Sequence, residues 1–481
     1  MNTIQFPQAS YCTCGLPQYD GNPLIEALPP ILSDHKIGEL LKREVPYEDK
    51  QRSLPAEVRR HALDAISTVF VPLPQHFHLV HTVSKVIRTG YTSRNPMNPR
   101  FWANIPGQRT DLTTRLTGIE QAPENTLGMA IVGPSGTGKT YSINRILRLL
   151  HQVIQHTHYK GQAMSLTQLT WLKLDCPFDG SIKGLATKFF AAIDRTLGTP
   201  YHKIYGNSRR TVDQMMPDMA TVAAMHALGC LVIDEIQHLE AAKHIGRTKM
   251  LNFFTEMSNT MNVPIILMGT PKAIGVLSSE FRSARRATGQ GAIYWERAKN
   301  NATWQIFVKA LWKYQYTAKE TPLTEEMSNL LYDLSQGITH LAVTLYSLAQ
   351  DRVIGISENL TPEVLTKTAA IYFKPVQPFL NALRTGDQKF VNMEDLNCDA
   401  LTTHIAELKQ KTVLFQTPEA DVATTKPTTN KPAKASRVKR EKTAPSGLLA
   451  SLDRATKDKK NIHQILQEEG HILDVTTLIS A

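Results

Sequence analysis

The sequence predicts an α/β fold built around a parallel sheet, followed by a helical subdomain and a flexible basic C-terminal tail. Three observations predict it. Short apolar runs, Gly128–Val132, Leu169–Leu174, Cys230–Ile233 and Pro264–Met268, alternate with longer helical patterns. Runs that are apolar at every position suit parallel strands buried on both faces. The first run leads into Gly133-Pro134-Ser135-Gly136-Thr137-Gly138-Lys139-Thr140, a full match to the G-x-x-x-x-G-K-[ST] phosphate loop. The third run ends in two carboxylates, Asp234 and Glu235.

Taken in order, residues 1–54 read as an extended, partner-binding arm, because Gly21-Asn22-Pro23 and Pro29-Pro30 break any long element. Residues 55–107 read as a helical extension. Val58, Ala62, Ala65, Ile66 and Val69 share one helix face, and Leu79, Val80, Val83, Val86 and Ile87 another. Pro72 and Pro74 separate the two helices, and Gly90–Pro96 and Pro106-Gly107 are loop signals. Residues 108–299 form the α/β core, with a helix expected over Tyr141–Gln155 after the phosphate loop. Residues 300–375 lack strand-like runs and read as helical, and 376–415 as a C-terminal extension. Residues 416–447 hold almost no large apolar side chain and read as a disordered basic linker. Residues 448–481 read as a helical, partner-binding segment carrying Leu448, Leu449, Leu452, Ile462, Ile465 and Leu466.

Composition narrows the class. The chain has 481 residues, 42% hydrophobic and 20% charged, which is enough apolar material for a folded core. Five cysteines are too few for a disulfide scaffold. No window is apolar for 18 residues, so no membrane span and no membrane partner are expected. The opening MNTIQFPQAS lacks the basic-then-apolar pattern of a secretory leader, so a cytoplasmic location is expected. The net charge of +11 is uneven: residues 426–460 carry eleven Lys or Arg against three acids. That stretch is either an arm that neutralises DNA phosphates or a solvated spacer.

The two motifs carry the chemistry. In the phosphate loop, glycines allow backbone N–H groups to turn inward, and the following helix N-terminus adds partial positive charge. Gly133, Pro134, Ser135, Gly136, Thr137, Gly138, Lys139 and Thr140 are therefore the candidate nucleotide cradle. Lys139 is expected to reach the β- and γ-phosphates, and the Thr140 hydroxyl to ligate Mg²⁺. Asp234 at its strand tip is expected to support the ion and Glu235 to polarise an attacking water. The Asp-Glu pair favours hydrolysis over binding alone, since adenylate-type kinases need no water-activating Glu. Pro264–Met268 ends in Gly269-Thr270, where Thr270 is placed to read the γ-phosphate from between the motifs.

Together these features resemble an AAA+ ATPase, a P-loop NTPase with residues 300–375 as its α-helical lid. More narrowly, GPSGTGKT, CLVIDEIQHL, IILMGTPKAIGVL and Arg94-Asn95-Pro96 ahead of the core resemble the TnsC and TniB class of transposition regulators, relatives of MuB. The resemblance spans roughly 55–375. It implies ATP and Mg²⁺ as cofactors and a ring or helical filament, hexameric or heptameric, on duplex DNA without sequence preference. It implies two further partners, a target selector of the TniQ or TnsD type and transposase subunits of the TnsA and TnsB type. Hydrolysis would then disassemble the oligomer. An arginine finger is implied after Thr270, where Phe281–Gly289 offers Arg282, Arg285 and Arg286; Arg285 and Arg286 are the preferred candidates. The DNA-facing positions match Lys183 and the loop Ser208-Arg209-Arg210-Thr211, which read equally well as surface charges. Where the family's lid carries Gly-x-x-Arg, this chain has Gly337-Ile338-Thr339-His340. His340 is expected to cap the next helix rather than reach nucleotide.

Other signals are set aside. Cys12-Thr13-Cys14 lacks a second ligand pair for zinc. Cys176, Cys230 and Cys398 read as buried small hydrophobes, Trp295, Trp304 and Trp312 as core, and His151, His156 and His158 as solvated at a helix end. Two other functions fit the same motifs: a helicase loader or initiator, and a nucleotide-gated DNA scaffold with little turnover.

Overall fold

The computed structural model describes residues 5–103, 128–206, 209–241, 253–254, 258, 263–272, 292–387, 390 and 395–414. All belong to the first of two compact units, Met1–Gln416. The expected basic linker, the C-terminal segment and the arginines Arg282, Arg285 and Arg286 lie outside the described residues, as does Ser208.

The chain opens with α1 (Pro23–Glu26), α2 (Asp34–Leu41), a 3₁₀ turn at Asp49–Ser53, α3 (Ala56–Ile66), α4 (Pro74–Thr92) and α5 (Pro99–Ala103). Pro74 begins α4 at the one turn where a missing N–H costs nothing. Residues 5–41 do not stand clear of the body. Leu24, Ile25, Leu28, Ile37 and Leu41 are buried in a cluster with Leu79, Val83 and Val86 of α4. The Arg94-Asn95-Pro96 stretch is an anchor: the Arg94 guanidinium is buried and donates to the carbonyls of Gly90 (2.8 Å) and Leu228 (2.6 Å). That burial lowers its pKa to about 10.

The core follows: β1 (Met129–Val132), α6 (Lys139–Leu147), β2 (Val153–Tyr159), β3 (Gln162–Leu169), β4 (Trp171–Asp175), α7 (Ile182–Leu197), α8 (Tyr201–Tyr205), α9 (Val212–Met225), β5 (Cys230–Asp234), β6 (Ile265–Gly269) and β7 (Ala292–Tyr294). Five strands form one sheet in the order β4-β5-β6-β1-β7, parallel throughout. Its faces separate by the two-residue period. Leu172, Leu174, Leu231, Ile233 and Ile265 pack on α7 and α9, while Met129, Ile131, Cys230, Val232 and Met268 pack toward α4 and α6. Every residue of β1 and β5 is buried, which is why these strands read as unbroken apolar runs.

Two expectations fail together here. The helix after the phosphate loop stops at Leu147, not Gln155, and β2 and β3 form a separate antiparallel hairpin. Lys160 (φ 46°) and Gly161 (φ 80°) supply the two left-handed positions of its turn. The run Leu169–Leu174 is accordingly split at Thr170 between β3 and β4. His156 is fully buried on β2, bonded to the Tyr11 hydroxyl (2.9 Å) and Gln168 (2.8 Å), and burial lowers its pKa. Only His151 and His158 of that cluster are exposed.

Beyond the sheet come α10 (Ala302–Trp312), α11 (Glu325–Ser335), α12 (Thr339–Val353), α13 (Pro362–Tyr372), α14 (Gln377–Thr385) and α15 (Cys398–Leu414). They share one core with α3, in which Trp304, Trp312, Leu345, Tyr346, Phe379 and Leu401 are buried. Trp295 is buried on the sheet side. An ion pair ties α3 to this helical region. Arg59 Nη1 and Nη2 donate to the two Glu358 carboxylate oxygens at 2.8 and 2.7 Å. The hydrogen bonds from Arg59, with those from the Ala318 and Gly355 amides, hold the Glu358 carboxyl down at about 2. A depressed carboxyl stabilises the fold above its unfolded pKa of 4.5 and loses that contribution as pH falls toward 2. Glu358→Gln is expected to lower unfolding free energy by roughly 2 kcal/mol at neutral pH, and the gap from wild type to close in acid. Chemical denaturation across pH measures both; identical midpoints at neutral pH would refute the role.

Candidate nucleotide site

Parallel strands put all their C-terminal ends on one edge, where ligands of α/β sheets bind. Because β6 lies between β1 and β5, that edge brings together the phosphate loop, Thr270 and the Asp234–Glu235 pair. The seam is direct: the Gly133 N–H donates to the Gly269 carbonyl at 3.1 Å. All three features line a single cleft of about 700 Å³. Val69–Val71 from the segment between α3 and α4, His76 in the first turn of α4, and Thr339 and His340 of α12 close its other walls.

The loop turns through Gly136 (φ 75°) and Gly138 (φ 90°), left-handed positions that only glycine takes without strain. Its carbonyls are held from several directions. Trp295 Nε1 donates to Thr137 O at 3.0 Å, and the His340 backbone N–H to Gly136 O at 3.1 Å. His340 thus meets the loop through its backbone, and the residue before α12, Ile338, caps it without a side-chain bond; the capping role expected of the His340 side chain is not seen. His340 is exposed at the cleft wall, and partial desolvation of its ring there lowers its pKa. Lys139 is 8% exposed and donates to Gly133 O (2.6 Å) and Pro134 O (2.8 Å). Burial lowers its pKa against the opposing pull of Asp395, Glu235 and Asp234.

The Thr140 hydroxyl donates to Asp234 Oδ2 at 2.9 Å. A hydroxyl and a carboxylate side by side are hard oxygen donors, the set Mg²⁺ takes when phosphates complete its shell. Thr270 is 1% exposed, and its Oγ1 has no hydrogen-bond partner. A buried hydroxyl left unsatisfied in the cleft wall is one a polar ligand would satisfy. The residues present therefore fit a nucleotide with Mg²⁺.

Glu235 sits in the left-handed region at φ 58°, its N–H held by Asp234 Oδ1 at 2.9 Å. Its pKa is raised by burial first and by Asp234 second. Two partners here were not legible as site residues in the sequence. Gln237 donates from Nε2 to the Glu235 carboxylate and accepts from the Thr270 N–H at 3.2 Å through Oε1. It bridges the acidic strand end to the β6 end. Lys173 of β4 pairs with Asp234 Oδ2 (3.0 Å) and Asp175 (3.3 Å). Burial disfavours its charge, but the two carboxylates outweigh that and raise its pKa. A polar residue two past the Glu, and a lysine alternating with Leu172 and Leu174, were the available signals.

The four DNA candidates lie apart from the cleft's lining. Lys183 is in the first turn of α7. Arg210 pairs with Asp218 and stacks over the Tyr205 ring at 5.3 Å. Thr211 caps α9 in a reciprocal arrangement with Gln214. Arg209 is exposed just before it.

The phosphate loop, the paired acids and the intervening strand define a P-loop nucleotide-binding core of the AAA+ type. Residues 124–277, which span all three, match the family model described as "AAA domain". No curated protein matches the chain in sequence. Among solved structures, Cdc6p from Pyrobaculum aerophilum is similar at 14% identity and a TM-score of 0.40, covering 63% of this chain and 69% of that one. The Drosophila ORC bound to DNA is similar at 11% identity and a TM-score of 0.37, covering 81% and 85%. A Walker-type ATPase of Pyrococcus abyssi is similar at 13% identity and a TM-score of 0.33, covering 55% and 72%. Superpositions this loose add nothing to what the strand order already shows.

To act as a general base Glu235 must be ionised, so with that role its raised pKa would shift the acid limb of kcat/KM upward from an ordinary carboxylate's. Gln237 opposes that rise. In Gln237→Ala the limb is expected to move to still higher pH, with activity at neutral pH falling several-fold. A pH–rate profile of both proteins decides it; superimposed limbs would remove Gln237 from the site.

Proposed function

We propose that this protein is a Mg²⁺-dependent ATPase that assembles on duplex DNA as a nucleotide-controlled regulator of transposition. The observation that carries the ATPase is the meeting of Thr140, Asp234, Glu235 and the unsatisfied Thr270 hydroxyl in the wall of one cleft with the phosphate loop. Lys139 exchanges the Gly133 and Pro134 carbonyls for phosphate oxygens. Thr140 and Asp234 would hold the metal, which when bound would supply positive charge against the phosphate oxygens. Glu235 accepts a proton from the attacking water, held in place by Gln237. Thr270 donates its hydroxyl toward the γ-phosphate. An arginine of a neighbouring copy, Arg285 or Arg286, completes the transition-state charge.

The DNA and transposition parts rest on the sequence resemblance to TnsC and TniB regulators. In that reading Lys183, Arg209, Arg210 and Thr211 face the duplex and touch phosphates without reading bases. A TniQ- or TnsD-type selector and TnsA/TnsB-type transposase subunits are its partners, the latter met by the C-terminal segment. The initiator or helicase-loader reading shares the ATPase and differs in partner: it requires a replicative helicase and no response of hydrolysis to transposase.

Glu235→Gln is expected to keep ATP binding, reduce hydrolysis by about 100-fold or more, and give long-lived oligomers on DNA. Electron microscopy with linear duplex, in ATP analogue and in ADP, reads the assembly. Rings or filaments in the analogue alone agree with the switch; monomers on DNA in both nucleotides would discard it.

A further inference from the structure

A carboxylate of the chain itself sits on the phosphate loop. Asp395, just ahead of α15, accepts from the Ser135 N–H through Oδ1 at 3.1 Å and from the Ser135 hydroxyl through Oδ2 at 2.7 Å. The Leu396 N–H donates to the same Oδ1 at 2.9 Å and fixes the orientation of the group. Leu396 itself is 3% exposed and lies over the loop: a methyl built on Gly136 would come within 2.9 Å of its Cδ2. Cys398, Ile405 and Lys409 of α15 line the nucleotide cleft alongside Ser135 and Lys139. A segment 260 residues away in sequence thus lays an anion and an apolar cover on the motif.

The physical reason is the loop's own polarity. Inward-turned N–H groups and the α6 N-terminus draw negative charge, and a carboxylate is the anion a polypeptide can supply. Its two bonds to Ser135 are charge-assisted, the stronger kind. They use donors at the second position after Gly133, in the part of the loop that wraps phosphate. Lys139 meanwhile donates to the Gly133 and Pro134 carbonyls of the loop itself.

We propose that Asp395 and Leu396 form an intramolecular plug, an autoinhibitory contact in which the Asp395 carboxylate and a nucleotide phosphate compete for the Ser135 donors. Nucleotide entry then lifts the start of α15 off the loop, and the plugged fraction of molecules weakens apparent nucleotide affinity. This inference rests on the nucleotide reading of the cleft.

The test uses the full chain and ADP as probe. Asp395→Asn keeps the shape and removes the charge; it is expected to bind ADP about tenfold more tightly than wild type. Leu396→Ala should move affinity in the same direction. In wild type, deuterium uptake over residues 395–405 should rise on saturation with ADP. Unchanged or weaker ADP binding by Asp395→Asn overturns the plug, weaker binding because it would make Asp395 part of the ligand's own site. Uptake unaffected by ADP overturns it independently of any variant's folding. Lys139→Ala separates the two readings: loss of ADP binding in that variant upholds the cleft, whatever Asp395→Asn does. If neither wild type nor Asp395→Asn binds ADP, the nucleotide reading fails and takes the plug with it.

Discussion

The cleft depends on one strand placement: β6 running parallel between β1 and β5. The register Val132 against Gly269, with Ile233 against Leu267, sets the phosphate loop, Thr270 and the acidic pair at one level along the sheet edge. A one-residue slip of β6 would exchange its two faces and drive Ile266 and Met268 out of their core. The apolar faces that hold the register therefore also hold the chemistry. No side chain of the cleft could be aligned by its own hydrogen bonds if the sheet shifted beneath it.

Upon that frame the polar groups are arranged so that almost every one is answered by another. Lys139 faces loop carbonyls, Lys173 faces two aspartates, Thr140 faces Asp234, and Glu235 faces Gln237. Among the described buried side chains of the cleft wall, Thr270 Oγ1 is the exception. Buried charges without partners would be costly, so a site of this kind works by exchanging partners rather than by acquiring them. In the proposed reading a nucleotide's oxygens would replace protein oxygens around Lys139 and Thr140, and the difference between the two sets would decide how tightly it is held.

Much of this was legible in the sequence, for physical reasons. The phosphate loop and Asp234–Glu235 were readable because backbone geometry at Gly136 and Gly138 and double-sided burial of β5 leave few residue choices. Thr270 is legible between the motifs because the apolar run Pro264–Met268 is followed, after Gly269, by this polar residue. The β2–β3 hairpin was missed because Val153 and Ile154 continue the apolar spacing of α6, while the turn signal at Lys160-Gly161 is short. His156 was misread for the same reason: seen as a helix end it looks solvated, but strand alternation carries it inward. Gln237, Lys173 and Asp395 were not found because each gains its role from a neighbour in space. Asp395 shows no local feature that would pair it with Ser135.

The burial of residues 5–41 has a consequence for where the molecule can be cut. The recognisable family match begins at 124, yet Ala9 bonds to Gln155, Tyr159 donates to Glu26, and Arg145 of α6 donates to the Leu41 carbonyl at 2.9 Å. The opening segment is thus stitched to the hairpin and to the helix that starts at Lys139. An excised fragment beginning at the family boundary would strip the apolar cover from Ile143 and Ile146 and leave α6 half clad. The heritable motif and the foldable piece have different edges, and any shortened version of this protein must respect the second.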